Sequence, residues 1–185
     1  MNDILVDLID DLKKSNGGHI LYQYDQLDCY LQNATSFILA GVRNGGHVMY
    51  VENDRNLLHM KKKLGKHLSS AELARVHFVN NFDFYYSNGD FNPDTVINYF
   101  RKTLQPHLDS GKAIYTWGLV EWGNVEEYIP KVEEYEKKLD KFRADKGIIS
   151  VCAYHNGNTP DDLKERLVRC HSVLVTDHEY KYLKN

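Results

Sequence analysis

Residues 18–54, GHILYQYDQLDCYLQNATSFILAGVRNGGHVMYVEND, pass from a β-branched and aromatic run through a helical pattern into a second such run. Strand, helix and strand in that order imply a βαβ unit and a parallel sheet. Leu27, Tyr30, Leu31, Ala34, Phe37, Ile38 and Val42 recur at helical spacing, and Asn44-Gly45-Gly46 supplies the stop. At the first strand-to-helix junction a phosphate-binding loop would carry G-x-x-x-x-G-K-[ST]. Here the chain reads Tyr22-Gln23-Tyr24-Asp25-Gln26-Leu27-Asp28, without the glycines or the lysine.

The alternation continues to the end. Residues 53–68 place Leu57, Met60 and Leu64 on one side and lysines on the other, a solvated amphipathic helix rather than a basic arm. VHFVNN (76–81) predicts a third strand. YYSNGDFNPDT reads as a loop leading into a helix with Val96, Tyr99, Phe100, Thr103 and Leu104, which Ser110-Gly111 ends. KAIYTWGLVEW (112–122) holds a fourth strand. Val125, Tyr128, Ile129, Val132, Tyr135, Leu139 and Phe142 mark a long helix that starts in earnest at Pro130. IISVCAY (148–154) predicts a fifth strand and SVLVTD (172–177) a sixth. The helix between them starts with Thr159 as cap, Pro160 at the first helical position and acids in the first turn. Its inner side is Leu163, Leu167 and Cys170.

Ahead of Gly17-Gly18, residues 1–16 form an amphipathic helix with Ile4, Leu5, Leu8, Ile9 and Leu12 on one face and Asn2 or Asp3 as cap. The expected fold is therefore α/β, a three-layer arrangement with a mainly parallel central sheet and helices on both faces. With no repeat or dividing linker, the 185 residues read as one domain: a helix at 1–16 and a core at 18–185.

Charge narrows the partners. A net of −3 leaves no basic stripe for a phosphate backbone, so nucleic acid is not expected. Three scattered cysteines, Cys29, Cys152 and Cys170, fit a reducing cytoplasm better than a disulfide framework. Acids interrupt the apolar residues of the N-terminal helix, which excludes a signal peptide or membrane span there. The 13 tyrosines are compatible with a homo-oligomeric interface as well as with a core.

In an open parallel sheet, ligands bind beyond the carboxyl ends of the strands. Those ends are Tyr24-Asp25, Glu52–Asp54, Asn80-Asn81, Glu121-Trp122 and Tyr154-His155, a mixture of aromatic walls and a few orienting polar groups. Cys152 and His155 invite a metal reading, with Cys170-His171 and His178 downstream. Residues three apart on a strand point to opposite faces, so that pair does not share an ion, and Cys152 reads as a buried thiol. No metal or other cofactor is expected. No G-x-S-x-G elbow is present, and Glu133-Glu134 lies among lysines on a solvated face, so no reaction is visible.

The same residues carry a resemblance. The 18–52 stretch, with His19, Tyr24, Gly41 and Gly45-Gly46, resembles the opening of the MEDS family, the methanogen/methylotroph sensory domain. Tyr86, Gly89 and Phe91 are similar to its Tyr, Gly and Phe segment, and WGLVEWG, with Glu121 beside Trp122, to its Glu and Trp segment. Tyr135-Glu136, Cys152-Ala153-Tyr154 and His171 match in the same order towards the end. The resemblance implies a degenerate RecA-like fold that has lost its phosphate anchor, and a sensor of small molecules, hydrocarbon derivatives among them, that often precedes a histidine kinase or a DNA-binding domain.

The expectation is a non-catalytic, stand-alone sensory protein of the cytoplasm. It binds a small organic molecule and signals through a separate partner such as a histidine kinase, since the domain fills the chain. The candidate ligand-binding residues are His19, Tyr24, Glu52, Glu121, Trp122, Tyr154 and His155, although His19 lies at the opposite end of its strand from Tyr24. Two alternatives compete. One is a residual nucleotide-binding RecA-like protein, with Asp25, Glu52 and Glu121 around a metal-bound nucleotide; the other is a protein-interaction module that inhibits a signalling kinase.

Overall fold

The computed structural model describes residues 3–122 and 125–184. Its elements run α1 (Asp3–Lys14), β1 (Gly18–Tyr24), α2 (Leu27–Arg43), β2 (His47–Glu52), α3 (Asp54–Leu64), α4 (Ser70–Leu73), β3 (Val76–Asn80), α5 (Asn81–Tyr85), α6 (Pro93–Asp109), β4 (Ile114–Leu119), α7 (Val125–Arg143), β5 (Ile149–His155), α8 (Asp161–Cys170), β6 (Val173–Val175) and β7 (Tyr180–Tyr182). The strands form one sheet in the order β3-β2-β4-β5-β1-β6-β7, parallel throughout except that β7 runs antiparallel to β6.

Strand parity divides the interior in two. Ile20, Tyr22, Tyr24, Val48, Tyr50, Tyr115 and Trp117 pack under α1, α2 and α3. Leu21, Met49, Val51, Cys152 and Tyr154 face the other way, under α5 to α8. Both faces are covered, which is why the strands read as nearly continuous apolar runs. Leu5, Leu8, Ile9 and Leu12 of α1 lie in the first of these cores, so the apolar face of that helix belongs to the fold. Gly41 lets α2 close on the sheet, because a β-carbon there would come within 2.9 Å of the Val48 side chain. Gly45, at φ +78°, turns the chain out of α2.

Several boundaries depart from expectation for local reasons. The third strand stops at Asn80, not 81, because the Asn80 side chain accepts from the Asp83 N–H at 3.0 Å and caps α5. A short α4 is fixed by a capping box between Ser69 and Glu72. Helix α7 begins at Val125, with Pro130 inside it. Pro160, not Thr159, is the cap residue of α8; the Thr159 hydroxyl donates to the His155 carbonyl at 2.8 Å instead. The sixth strand is only three residues long, and β7 beside it closes the sheet edge. Of the two expected α1 caps, Asn2 lies outside the described residues and Asp3 is the first helical residue.

Candidate functional site

The β1–α2 junction holds a carboxylate where a phosphate loop would hold its ligand. Asp177 accepts the N–H groups of Asp25 and Gln26 at 3.1 and 2.9 Å, and the Tyr22 hydroxyl at 3.0 Å. Asn33 of α2 braces this arrangement through the Tyr22 oxygen at 2.7 Å. The positive end of α2 is thus matched by an anion from within the chain, 7% exposed. A triphosphate approaching here would meet that negative charge.

Next to it on the same face lies Glu52, fully buried at the end of β2. Tyr30 and Tyr50 donate to its Oε2, while Asn53 N and Asn56 Nδ2 donate to Oε1 at 3.0 and 3.2 Å. Trp117 completes the group by donating its indole N–H to the Tyr30 oxygen at 2.9 Å. Burial pushes the Glu52 carboxyl up to about 7, because hydrogen bonds offset only part of its desolvation.

On the opposite face, four elements converge on one buried point. His19 comes from β1, Glu136 from α7, Cys152 from β5 and His171 from the end of α8; all are at most 2% exposed. Glu136 Oε2 lies 3.1 Å from His19 Nε2 and 3.5 Å from His171 Nε2, and Cys152 Sγ lies 3.6 Å from His19 Nε2. The other nitrogen of each imidazole, Nδ1, faces a main-chain carbonyl: Cys170 at 2.9 Å for His19 and Leu167 at 2.7 Å for His171. The Tyr154 hydroxyl donates to the remaining oxygen of Glu136.

Burial alone would lower the His19 pKa, but hydrogen bonds to Asp140 and Glu136 raise it overall. Burial opposes ionisation of Glu136 too, yet the two imidazoles hold its carboxyl far below the ordinary range. His171 moves down, through burial and the charge of His19. The centre therefore joins an imidazole whose affinity for a proton is raised, a second whose affinity is lowered, a carboxylate and a thiol. That combination can hold or pass a proton, and its donor set suits a metal ion.

Trp122 connects this interior to the carboxyl edge of the sheet. Its ring packs 5.6 Å from that of Tyr154, and it lines an open cleft of about 430 Å³ with Phe82, Tyr86, Tyr128, Asn81 and Glu121. Asn81 donates to Glu121 Oε2 at 2.7 Å, which fixes the polar side of the cleft. Glu121, Trp122 and His155 also border a recess of about 100 Å³, and His155 meets Tyr24 edge-on at 5.1 Å.

The seven residues expected to line one pocket are therefore distributed over three places. Glu121, Trp122, His155 and Tyr24 form a connected rim at the carboxyl edge; Tyr24 and Glu52 belong under α2; His19 and Tyr154 face the buried centre. Strand parity makes the separation, since positions 19 and 154 point away from positions 24 and 52. Cys152 and His155, weighed in the sequence as ligands of one metal ion, point to opposite faces, and the neighbours of Cys152 come from elements that spacing did not reach. Nothing in the residue pattern singled out Glu136 except its place in the resemblance, while His171 had entered the metal reading only as a residue downstream of Cys152 and His155. A roomier cleft of about 590 Å³ between α2 and α3, lined partly by Arg43, Lys63 and His67, lies away from all of these residues.

A second group of histidines went unnoticed in the sequence. His47 of β2 and His77 of β3 share the sheet face under α6, whose last turn lays His107 over them; ring centroids are 4.0, 4.6 and 5.7 Å apart. Burial lowers His47 and His77, and the neighbouring charges of His107, Arg75 and Lys112 push His47 the same way.

A mostly parallel α/β sheet whose first strand-to-helix turn carries an internal carboxylate in place of a phosphate loop is a RecA-like fold without its anchor. The MEDS profile, described as MEthanogen/methylotroph, DcmR Sensory domain, matches residues 18–172, and the chain belongs to that family of sensory domains. Its fold is similar to that of the KaiC-like protein PH0186 from the archaeon Pyrococcus horikoshii OT3: TM-score 0.53, 12% identity, covering 86% of this chain and 70% of that one. The flagellar accessory protein FlaH from Methanocaldococcus jannaschii aligns at TM-score 0.45 and 12% identity, covering 90% of this chain and 76% of that one. No curated protein matches the sequence. Among the described residues, no helix is long and apolar enough to cross a membrane.

Proposed function

We propose that this sensory domain takes a small organic molecule in the aromatic cleft at the carboxyl edge of its sheet and signals through a separate protein partner, such as a histidine kinase. One observation carries the reading. Trp122 is shared: it lines the cleft and also packs on Tyr154, which donates to the buried Glu136. A ligand that displaces Trp122 thereby acts on the buried centre.

The cleft suits a mostly apolar ligand with one polar group. Phe82, Tyr86, Trp122 and Tyr128 supply the walls, Asn81 and Glu121 the polar contact, and its volume is that of a small-molecule site. Three cysteines without disulfide partners fit action in the cytoplasm. The nucleotide alternative is weakened by Asp177 at the α2 N-terminus.

Thermal unfolding against small organic metabolites and against magnesium nucleotides tests the proposal. A ligand at about a hundred times its dissociation constant adds roughly 2.7 kcal/mol, a rise of several degrees. The expected result is a shift with members of the organic panel that Trp122→Ala abolishes. A shift with magnesium nucleotide alone, or a ligand response untouched by Trp122→Ala, overturns it; silence in both panels points to the interaction-module alternative.

A further inference from the structure

We propose that His19, Glu136, Cys152 and His171 bind one divalent transition-metal ion of the zinc type, giving the domain an interior metal centre. The argument rests on donor placement. In a tetrahedral zinc site with bonds of about 2.0 to 2.3 Å, neighbouring ligand atoms lie roughly 3.3 to 3.6 Å apart. Three of the six separations here are 3.1, 3.5 and 3.6 Å, and one ligand atom from each of the four residues falls within 4.8 Å of the others.

Orientation supports the same conclusion. When each imidazole donates its Nδ1–H to the main-chain carbonyl it faces, its Nε2 lone pair points into the centre, and Asp140 lies 3.3 Å from His19 Nδ1 as a further outer contact. Carbonyls and carboxylates behind the ligands are how proteins orient metal-binding histidines. Charge balance also fits: a thiolate, a carboxylate and two neutral imidazoles neutralise a divalent ion, as a site with no solvent contact requires. The ligands arrive from β1, α7, β5 and the α8 terminus, so binding would tie together both ends of the family-matched segment. A recess of about 210 Å³ bordered by Lys137, Asp140, Arg143, Arg169, Cys170 and His171 lies beside the centre.

The donor set discriminates by metal. Sulfur with nitrogen favours zinc, cobalt or iron over magnesium or calcium. The three-histidine group at His47, His77 and His107 offers nitrogen only, so sulfur in the coordination shell separates the two locations.

Chelator-treated, reduced full-length protein is titrated with cobalt(II), followed by absorption and by X-ray absorption at the cobalt edge. One ion per chain is expected, with a thiolate-to-cobalt charge-transfer band in the near ultraviolet, intense visible bands of tetrahedral cobalt, and one sulfur among three lighter ligand atoms. Cys152→Ser should abolish the charge-transfer band, and His107→Ala should leave it intact. The wild-type edge spectrum decides independently if Cys152→Ser does not fold. No uptake by folded wild-type protein, uptake with only nitrogen and oxygen ligands, or a charge-transfer band that survives Cys152→Ser overturns the proposal.

Discussion

Two groups of histidines sit against the same face of the sheet, and they differ in what charge lies beside them. His19 and His171 stack at 3.9 Å around the carboxylate of Glu136, with no solvent exposure. His47, His77 and His107 stack at similar distances, half-buried, beside Arg75 and Lys112. Burial disfavours a charged imidazole in both places. Two carboxylates, Asp140 and Glu136, reverse the outcome at His19, while His171, His47 and His77 go down. The first group is built around a carboxylate; the second is a stack of three rings with cationic neighbours.

The largest effect should come from removing the acid that makes the difference. Glu136→Ala takes from the buried His19 one of the two carboxylates that raise it and leaves the Tyr154 hydroxyl without its acceptor. Breaking one half of a buried pair costs roughly 3–5 kcal/mol. Urea unfolding in the presence of chelator, so that only the ion pair is read, should show a loss of that order, and a loss under 1 kcal/mol would mean that His19 is neutral in the folded protein.

Glu52 sharpens the comparison from the acid's side. It is as buried as Glu136, but hydroxyls and amides surround it and no imidazole does, so its carboxyl rises to about 7 whereas that of Glu136 falls. An acid with a raised folded pKa gives its full stability below its unfolded value near 4.5. That stability is lost as pH rises through about 7. The parent protein should lose about 1–3 kcal/mol from this group between pH 4.5 and 8, and Glu52→Gln should flatten that part of the profile in denaturant melts. An unchanged profile would show that the tyrosine hydrogen bonds keep Glu52 ionised.

These contrasts explain what could be read in advance. The alternation of elements follows from local chemistry: helical spacing in residues 27–42, β-branched runs at 47–52 and 148–154, and glycine or asparagine stops. The parallel α/β fold was therefore legible without strand order. Glu121 and Trp122 of the cleft were legible as a strand end, but the buried centre was not, because its members are 19, 136, 152 and 171, and only the pairing of β1 with β5 and the docking of α7 and α8 bring them together. Parity within a strand separates His19 from Tyr24 but says nothing about which helix covers it. The resemblance did contain the members of that centre in scattered form, since His19, Glu136, Cys152, Tyr154 and His171 all carried it; what was missing was the third dimension. His47 and His77 could have been placed on one face only with the register that sets Val48 opposite Val76.

The smallest effect lies in the group without an acid, and there stability and titration should come apart. His107 is half-exposed at the end of α6, so His107→Ala should change stability at pH 7 by less than about 0.5 kcal/mol. Its charge, however, is among the causes that depress both His47 and His77. Proton NMR titration of the variant should therefore find both imidazoles titrating at higher pH than in the parent. The sign on stability follows. A histidine with a lowered folded pKa favours the fold above its unfolded value near 6.5, and that advantage is lost as pH falls below 6.5 through the folded value. Because solvent reaches these rings, the loss should be a few tenths of a kcal/mol for each, and smaller in His107→Ala than in the parent. Midpoints that stay where they were would show that desolvation alone holds His47 and His77 neutral, leaving the missing acid as the whole difference between the two groups.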